Sequence, residues 1–78
     1  MDSQKIKQDE IHIGQNMRTI RIEKGIGQTE LVRQLQLLNI DMTRETLVKI
    51  ERGIQHVQAT QLRAIRDALG TTYDELLK

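Results

Sequence analysis

Apolar side chains recur along the chain in short stripes of helical period, each closed by a turn residue. Ile13, Met17 and Ile20 fall at i, i+4 and i+7, one face of an amphipathic helix running to about Lys24. Gly25 stands where a helix C-terminus takes a left-handed residue. Leu31, Val32, Leu35 and Leu38 form the buried stripe of a second helix over about 28–38, with Glu30 facing its positive end. Asn39 and Asp41 favour a turn, and Thr43 is a good N-cap whose hydroxyl can accept from the amide of Glu45 or Thr46. Leu47, Ile50 and Ile54 give a third helix, over about 43–52, its inner face, and Gly53 ends it. Leu62, Ile65 and Leu69 mark a fourth helix over 60–69, stopped by Gly70. Thr72 and Glu75 read as a capping box opening a short fifth helix with Tyr73, Leu76 and Leu77. Residues 1–10 carry one clear apolar side chain, Ile6, and read as a flexible lead-in that can also extend the first helix. The domain is expected over 11–78.

Composition narrows the picture to one class. With 78 residues the chain is expected to form one small domain, burying roughly 60% of its unfolded surface, which leaves no room for a large interdomain cleft. The apolar set is aliphatic apart from Tyr73, there is no proline, and the alternating Val, Thr and aromatic runs of a small β-domain are missing. The expected fold is all-α, a compact bundle of five short helices. Without cysteine there is no disulfide and no thiolate for a metal cluster or nucleophile, which suits a reducing compartment. No apolar run approaches the ~18–20 residues of a membrane span, and Met1–Glu10 does not read as a secretory signal. A cytoplasmic protein is expected, with no membrane partner.

The string of residues is more specific than any one element. Ile13-Gly14, Ile20-Arg21, Lys24-Gly25-Ile26, Gln28 with Leu31, Leu47, Ile50-Glu51-x-Gly53, and Leu62…Ile65…Ala68-Leu69-Gly70 followed by Asp74-Glu75-Leu76-Leu77 stand in this order over about 13–77. In these residues the sequence resembles the phage-repressor and Cro-like (XRE-type) helix-turn-helix DNA-binding family. The resemblance implies a lambda-repressor-like bundle of five helices, with helices two and three forming the DNA-reading unit and the third in the major groove. Carried onto this chain, Arg44, Glu45 and Lys49 meet base edges, Thr43 and Thr46 lie near the DNA backbone, and Gln28 matches a position that touches phosphate and braces the recognition helix. It also implies an internal ion pair between Arg21 and Glu51, architectural in role. Two departures stand out. Val32 occupies a position usually held by alanine. The segment Gln36–Asp41 lengthens a normally tight three- or four-residue turn, by about five residues on this reading. Leu37, Leu38 and Ile40 in that segment are expected to cap the core, the other reading being a partner surface.

The chemistry is reasonable without the resemblance. Arginine can grip guanine O6 and N7 with two bonds, and glutamate can accept from cytosine N4. The bland reading of Arg44, Glu45 and Lys49 is a solvated helix face with a Glu45–Lys49 pair of a few tenths of a kcal/mol. His12 and His56 are too far apart to imply a metal site, and no acid, base and nucleophile assemble, so neither an enzyme nor a cofactor is expected. Net charge is only +1, divided as −1 over residues 1–10, +2 over 11–55 and zero over 56–78. If Glu51 turns inward, Arg44, Lys49 and Arg52 outnumber Glu45 on the outer side of 43–53. The expected function is sequence-specific binding of double-stranded DNA by a small transcriptional regulator, a repressor acting as a homodimer on a two-fold site. Tyr73, Leu76 and Leu77 are its candidate dimer contacts, and would equally well finish the core of the monomer. The alternative is an antitoxin-like module that uses the same fold to bind a regulatory protein partner.

Overall fold

The computed structural model describes Lys5–Ile6 and residues 12–78. Five helices carry the fold: α1 (Ile13–Glu23), α2 (Gln28–Leu37), α3 (Arg44–Glu51), α4 (Ala59–Leu69) and α5 (Tyr73–Leu77). Two-residue strands β1 (Lys5–Ile6) and β2 (Val57–Gln58) pair antiparallel, with Lys5 opposite Gln58 and Ile6 opposite Val57. The helices start and stop within a residue or two of the sequence expectation. The strand pair was not expected. It brings two residues of the lead-in alongside the α3–α4 connection, while residues 1–4 and 7–11 lie outside the described residues.

The helix ends share one closure. In each of α1 to α4 a left-handed residue follows the last turn: Gly25 (φ 69°), Asn39 (φ 64°), Gly53 (φ 77°) and Gly70 (φ 63°). The amide of that residue donates three positions back, and the next amide reaches five back, as in Ile26 N to Arg21 O (3.0 Å) and Ile54 N to Lys49 O (3.0 Å). These bonds satisfy carbonyls that would otherwise face nothing. At the helix starts, Thr43 Oγ1 accepts from Thr46 N (3.1 Å) and Thr72 Oγ1 from Glu75 N (3.2 Å). The return bond of the expected capping box at Thr72 is not made, and Glu75 Oε1 accepts from Lys78 Nζ at 3.2 Å.

The core runs through all five helices. Ile13 and Met17 of α1, Leu31 and Leu35 of α2, Leu47 and Ile50 of α3, Ile65 of α4 and Leu76 of α5 are fully or almost fully buried, with Met42 and Val57 from the connections. Each such side chain contributes about 1.5–3 kcal/mol through apolar area removed from water. Helix α1 packs on α3 and α5, and α2 packs on α3 and α4. Asn16 of α1 ties down the last helix, its Nδ2 donating to the carbonyls of Leu76 (2.9 Å) and Lys78 (3.0 Å).

Three expectations about the core are corrected. Ile54 does not continue the inner face of α3 and is 65% exposed, because left-handed Gly53 turns the chain before the helical period reaches it. Leu38 does not complete the stripe of α2, since that helix ends at Leu37 and Leu38 is 46% exposed. Of Leu37, Leu38 and Ile40, only Ile40 packs against the core, and Leu37 is 78% exposed.

Candidate nucleic-acid interface

Helix α3 has a locked face and an open one. At 100° per residue, Leu47, Ile50 and Glu51 share one side, and all three are buried. Arg44, Glu45, Val48, Lys49 and Arg52 occupy an arc of about 140° on the other side. Arg44, Glu45, Lys49 and Arg52 are exposed, and Val48 is partly so. Among the described residues none of the three cations engages a carboxylate, so the Glu45–Lys49 pair of the bland reading is not formed. The open face therefore keeps an excess of two positive charges. Thr43 and Thr46 frame its start, joined by a hydroxyl–hydroxyl bond of 3.1 Å. Val48 carries no charge to mark it in the sequence, where an apolar residue suggests core; the signal that places it on this face is the i,i+4 spacing from Arg44 and to Arg52.

The locked face ends in a buried charge cluster. Arg21, late in α1, donates from Nε to Glu51 Oε2 (2.7 Å) and from Nη2 to Glu51 Oε1 (2.9 Å). Both residues are buried, at 7% and 5% exposure, so the pair is taken almost wholly out of water. The third nitrogen of the guanidinium, Nη1, donates to the carbonyl of Ile26 (2.9 Å) in the α1–α2 turn. Glu51 Oε1 also accepts from Gln28 Nε2 at 3.1 Å, so Gln28, half-buried at the start of α2, is engaged inside the protein. All of this depends on a close approach of α1 and α3. A Cβ on Gly14 would collide with the backbone carbonyl of Ile50.

Arg52 and Glu51 also line a polar recess of about 290 Å³ with His12, Gln15 and Gly53. No group of His, Asp or Glu capable of holding a metal exists among the described residues. Likewise no described helix is long and apolar enough to cross a membrane.

Comparison with known proteins places this arrangement. A family described as the helix-turn-helix domain matches residues 12–78, most of the chain. The chain belongs to the helix-turn-helix family. Curated proteins offer no match to the sequence. The fold of this helix-turn-helix domain is similar to that of the clp gene regulator ClgR from C. glutamicum, at 25% identity and TM-score 0.74, covering 83% of this chain and 78% of that one. It is equally similar to the restriction-modification controller protein C.AhdI from Aeromonas hydrophila, at 25% identity and TM-score 0.74, covering 86% and 94%. The hypothetical transcription factor NHTF from Neisseria shares the fold at 24% identity and TM-score 0.74, over 100% of this chain and 86% of that one.

Within the helix-turn-helix unit, α2 and α3 are joined by the six residues 38–43. The turn is longer than a tight one, but by less than the sequence suggested, because α2 runs through Gln36 and Leu37 and absorbs part of the extra chain. Asn39 takes the left-handed position, and Gln36 Nε2 donates to the carbonyl of Met42 (3.4 Å). Beside this turn a groove of about 300 Å³ is lined by Leu38, Ile40, Thr60, Arg63, Ala64 and Asp67.

Proposed function

We propose that this helix-turn-helix domain binds double-stranded DNA sequence-specifically as a small transcriptional regulator, a repressor, with α3 in the major groove. The open face of α3 carries this reading. Its three cations are free of carboxylate partners, whereas the opposite face is fastened into the core. Arg44 and Glu45, in the first turn, reach base edges, with Arg44 suited to guanine and Glu45 to cytosine. Val48 offers methyl groups to thymine, while Lys49, at the far edge of the open arc from Arg44, is assigned to a phosphate with Arg52 in place of the base edge that the resemblance implied. Thr43 and Thr46 lie against the DNA backbone, and Gln28 approaches a phosphate from the start of α2. An excess of two charges per chain is small, so affinity depends on two copies binding together. A homodimer would set its half-sites about 34–36 Å apart, one helical turn. The similarity to regulators such as ClgR and C.AhdI supports this role, as does the match to the helix-turn-helix family. A cytoplasmic location follows from it.

The test is a titration of labelled duplexes from the region upstream of the protein's own gene against random-sequence duplexes, at ~50 and ~150 mM salt. Specific retention at the higher salt is expected, and equal loss of both kinds of duplex overturns sequence-specific binding. A second reading, a module that binds a regulatory protein, draws on one observation: Leu37 and Leu38 stay exposed, and Leu38 lines the groove with Arg63. Isolation with a stoichiometric protein partner and no preference among duplexes would favour it.

A further inference from the structure

The carboxylate of Glu51 answers to two elements at once. Its Oε2 is taken by Arg21 Nε, while its Oε1 accepts from both Arg21 Nη2 and Gln28 Nε2. The first bonds balance a buried charge. The bond to Gln28 is not needed for that purpose, because the guanidinium already meets both oxygens. What it fixes is the amide of a half-buried side chain at the first position of α2. Gln28 Nε2 carries two hydrogens, and only one can point at Glu51. With that one committed, the amide plane is set and the direction of the second hydrogen is set with it.

We propose that Glu51 is a positioning residue for DNA contact at the start of α2. It orients the Gln28 amide so that the free Nε2–H faces a phosphate oxygen without a rotamer search at docking. This rests on the DNA-binding reading above and adds a coupling to it: the phosphate contact of Gln28 acts through the last residue of α3. The side chain that donates to the phosphate is thereby tied to the helix that reads the bases. Any misplacement of α3 therefore misplaces the contact. Replacing Glu51 by glutamine leaves one carbonyl and one NH2 facing three donors, from Arg21 Nε, Arg21 Nη2 and Gln28 Nε2. At least one donor loses its acceptor, and the neutral Gln28 amide competes less well than the guanidinium.

The experiment is a double-mutant cycle on DNA affinity, using wild type, Gln28→Ala, Glu51→Gln and the double variant. The probe is a 24-base-pair random-sequence duplex at ~50 mM salt, because a phosphate contact needs no operator. Folding of each variant is checked by circular dichroism at the titration temperature. Gln28→Ala is expected to weaken binding about tenfold, the order expected for a hydrogen bond to a charged group. In the Glu51→Gln background the same change is expected to cost less than about twofold. Equal costs in both backgrounds overturn the proposal while leaving DNA binding itself intact. A wild type that binds no duplex removes both. If Glu51→Gln does not fold, the wild type decides alone by NMR of the Gln28 side-chain amide. One of its two proton signals is expected to shift on adding the duplex while its partner stays. Neither signal moving, or both moving together, overturns the assignment.

Discussion

At the residue scale, charge and bulk at single positions of α3 and its neighbour α1 carry different consequences. Arg44 is exposed in the first turn and bonds to no carboxylate among the described residues, so on the proposed function its loss is expected to leave the fold intact and to act on DNA binding. Arg44→Ala is expected to cost about 1–3 kcal/mol of specific binding and to relax preference at one base position. Binding to duplexes varied one position at a time checks this, with an unchanged melting temperature as control. Gly14 behaves oppositely. Alanine there gains up to about 1 kcal/mol in helix propensity. Its Cβ, however, meets the backbone of Ile50 and Glu51, which cannot swing aside as a side chain can. Separating α1 from α3 costs typically 1–3 kcal/mol and also loosens the Arg21–Glu51 contact, so the clash wins. Gly14→Ala is expected to lower the melting temperature by several degrees, as read by thermal unfolding.

At the element scale, most of the fold was legible because each helix carries both a stripe and a stop. Gly25, Gly53 and Gly70 all adopt the left-handed conformation expected of them, and Thr43 caps α3 through Thr46 as one of its two foreseen partners. What escaped notice has definite causes. A strand of two residues, such as Val57–Gln58, is too short to show alternation. Ile54 and Leu38 continue a helical count past the point where the backbone stops being helical, and a periodicity argument cannot see that break from within. The open face of α3 was legible in its charges. The bond from Gln28 to Glu51 was not, since 23 residues separate them and nothing local announces the contact. Asn39 supplies the prediction at this scale. Holding φ at 64°, it pays a penalty that glycine avoids and alanine increases. Asn39→Gly is expected to hold or raise stability, and Asn39→Ala to lower it by about 1 kcal/mol, measured by urea unfolding.

At the scale of the whole molecule, charge distribution matters more than its sum. A net charge of +1 over the chain gives little long-range attraction to DNA, and the three cations of the proposed interface stand on α3 or at its C-cap. Affinity should therefore follow the number of phosphates met by Lys49 and Arg52 in each copy. Each neutralised phosphate adds about −0.9 to the slope of log affinity against log salt. Lys49→Ala is expected to make that slope shallower by about 0.9 for each bound copy, and titrations across salt concentrations measure it directly. Copy number itself is read by light scattering. In the monomer Leu76 is fully buried and Leu77 partly so, which leaves Tyr73, with Arg66 lying 4.5 Å over its ring, as the main exposed apolar group of α5.

The way α2 ends and α3 begins has a consequence for how such a chain tolerates change in length. Helix α2 is closed by the amides of Asn39 and Ile40 and α3 opens on Thr43, while two bonds span Asp41 between them, Met42 N to Ile40 O (3.0 Å) and Gln36 Nε2 to Met42 O (3.4 Å). Ile40 and Met42 press inward, and only Asp41 between them is fully outward. That residue is a natural splice point. Extra chain inserted there would give up those two bonds and bulge into solvent, while the buried Leu47, Ile50 and Glu51 still hold α3 from behind. The bearing of α3 is thus set by its buried face more than by the length of the loop before it.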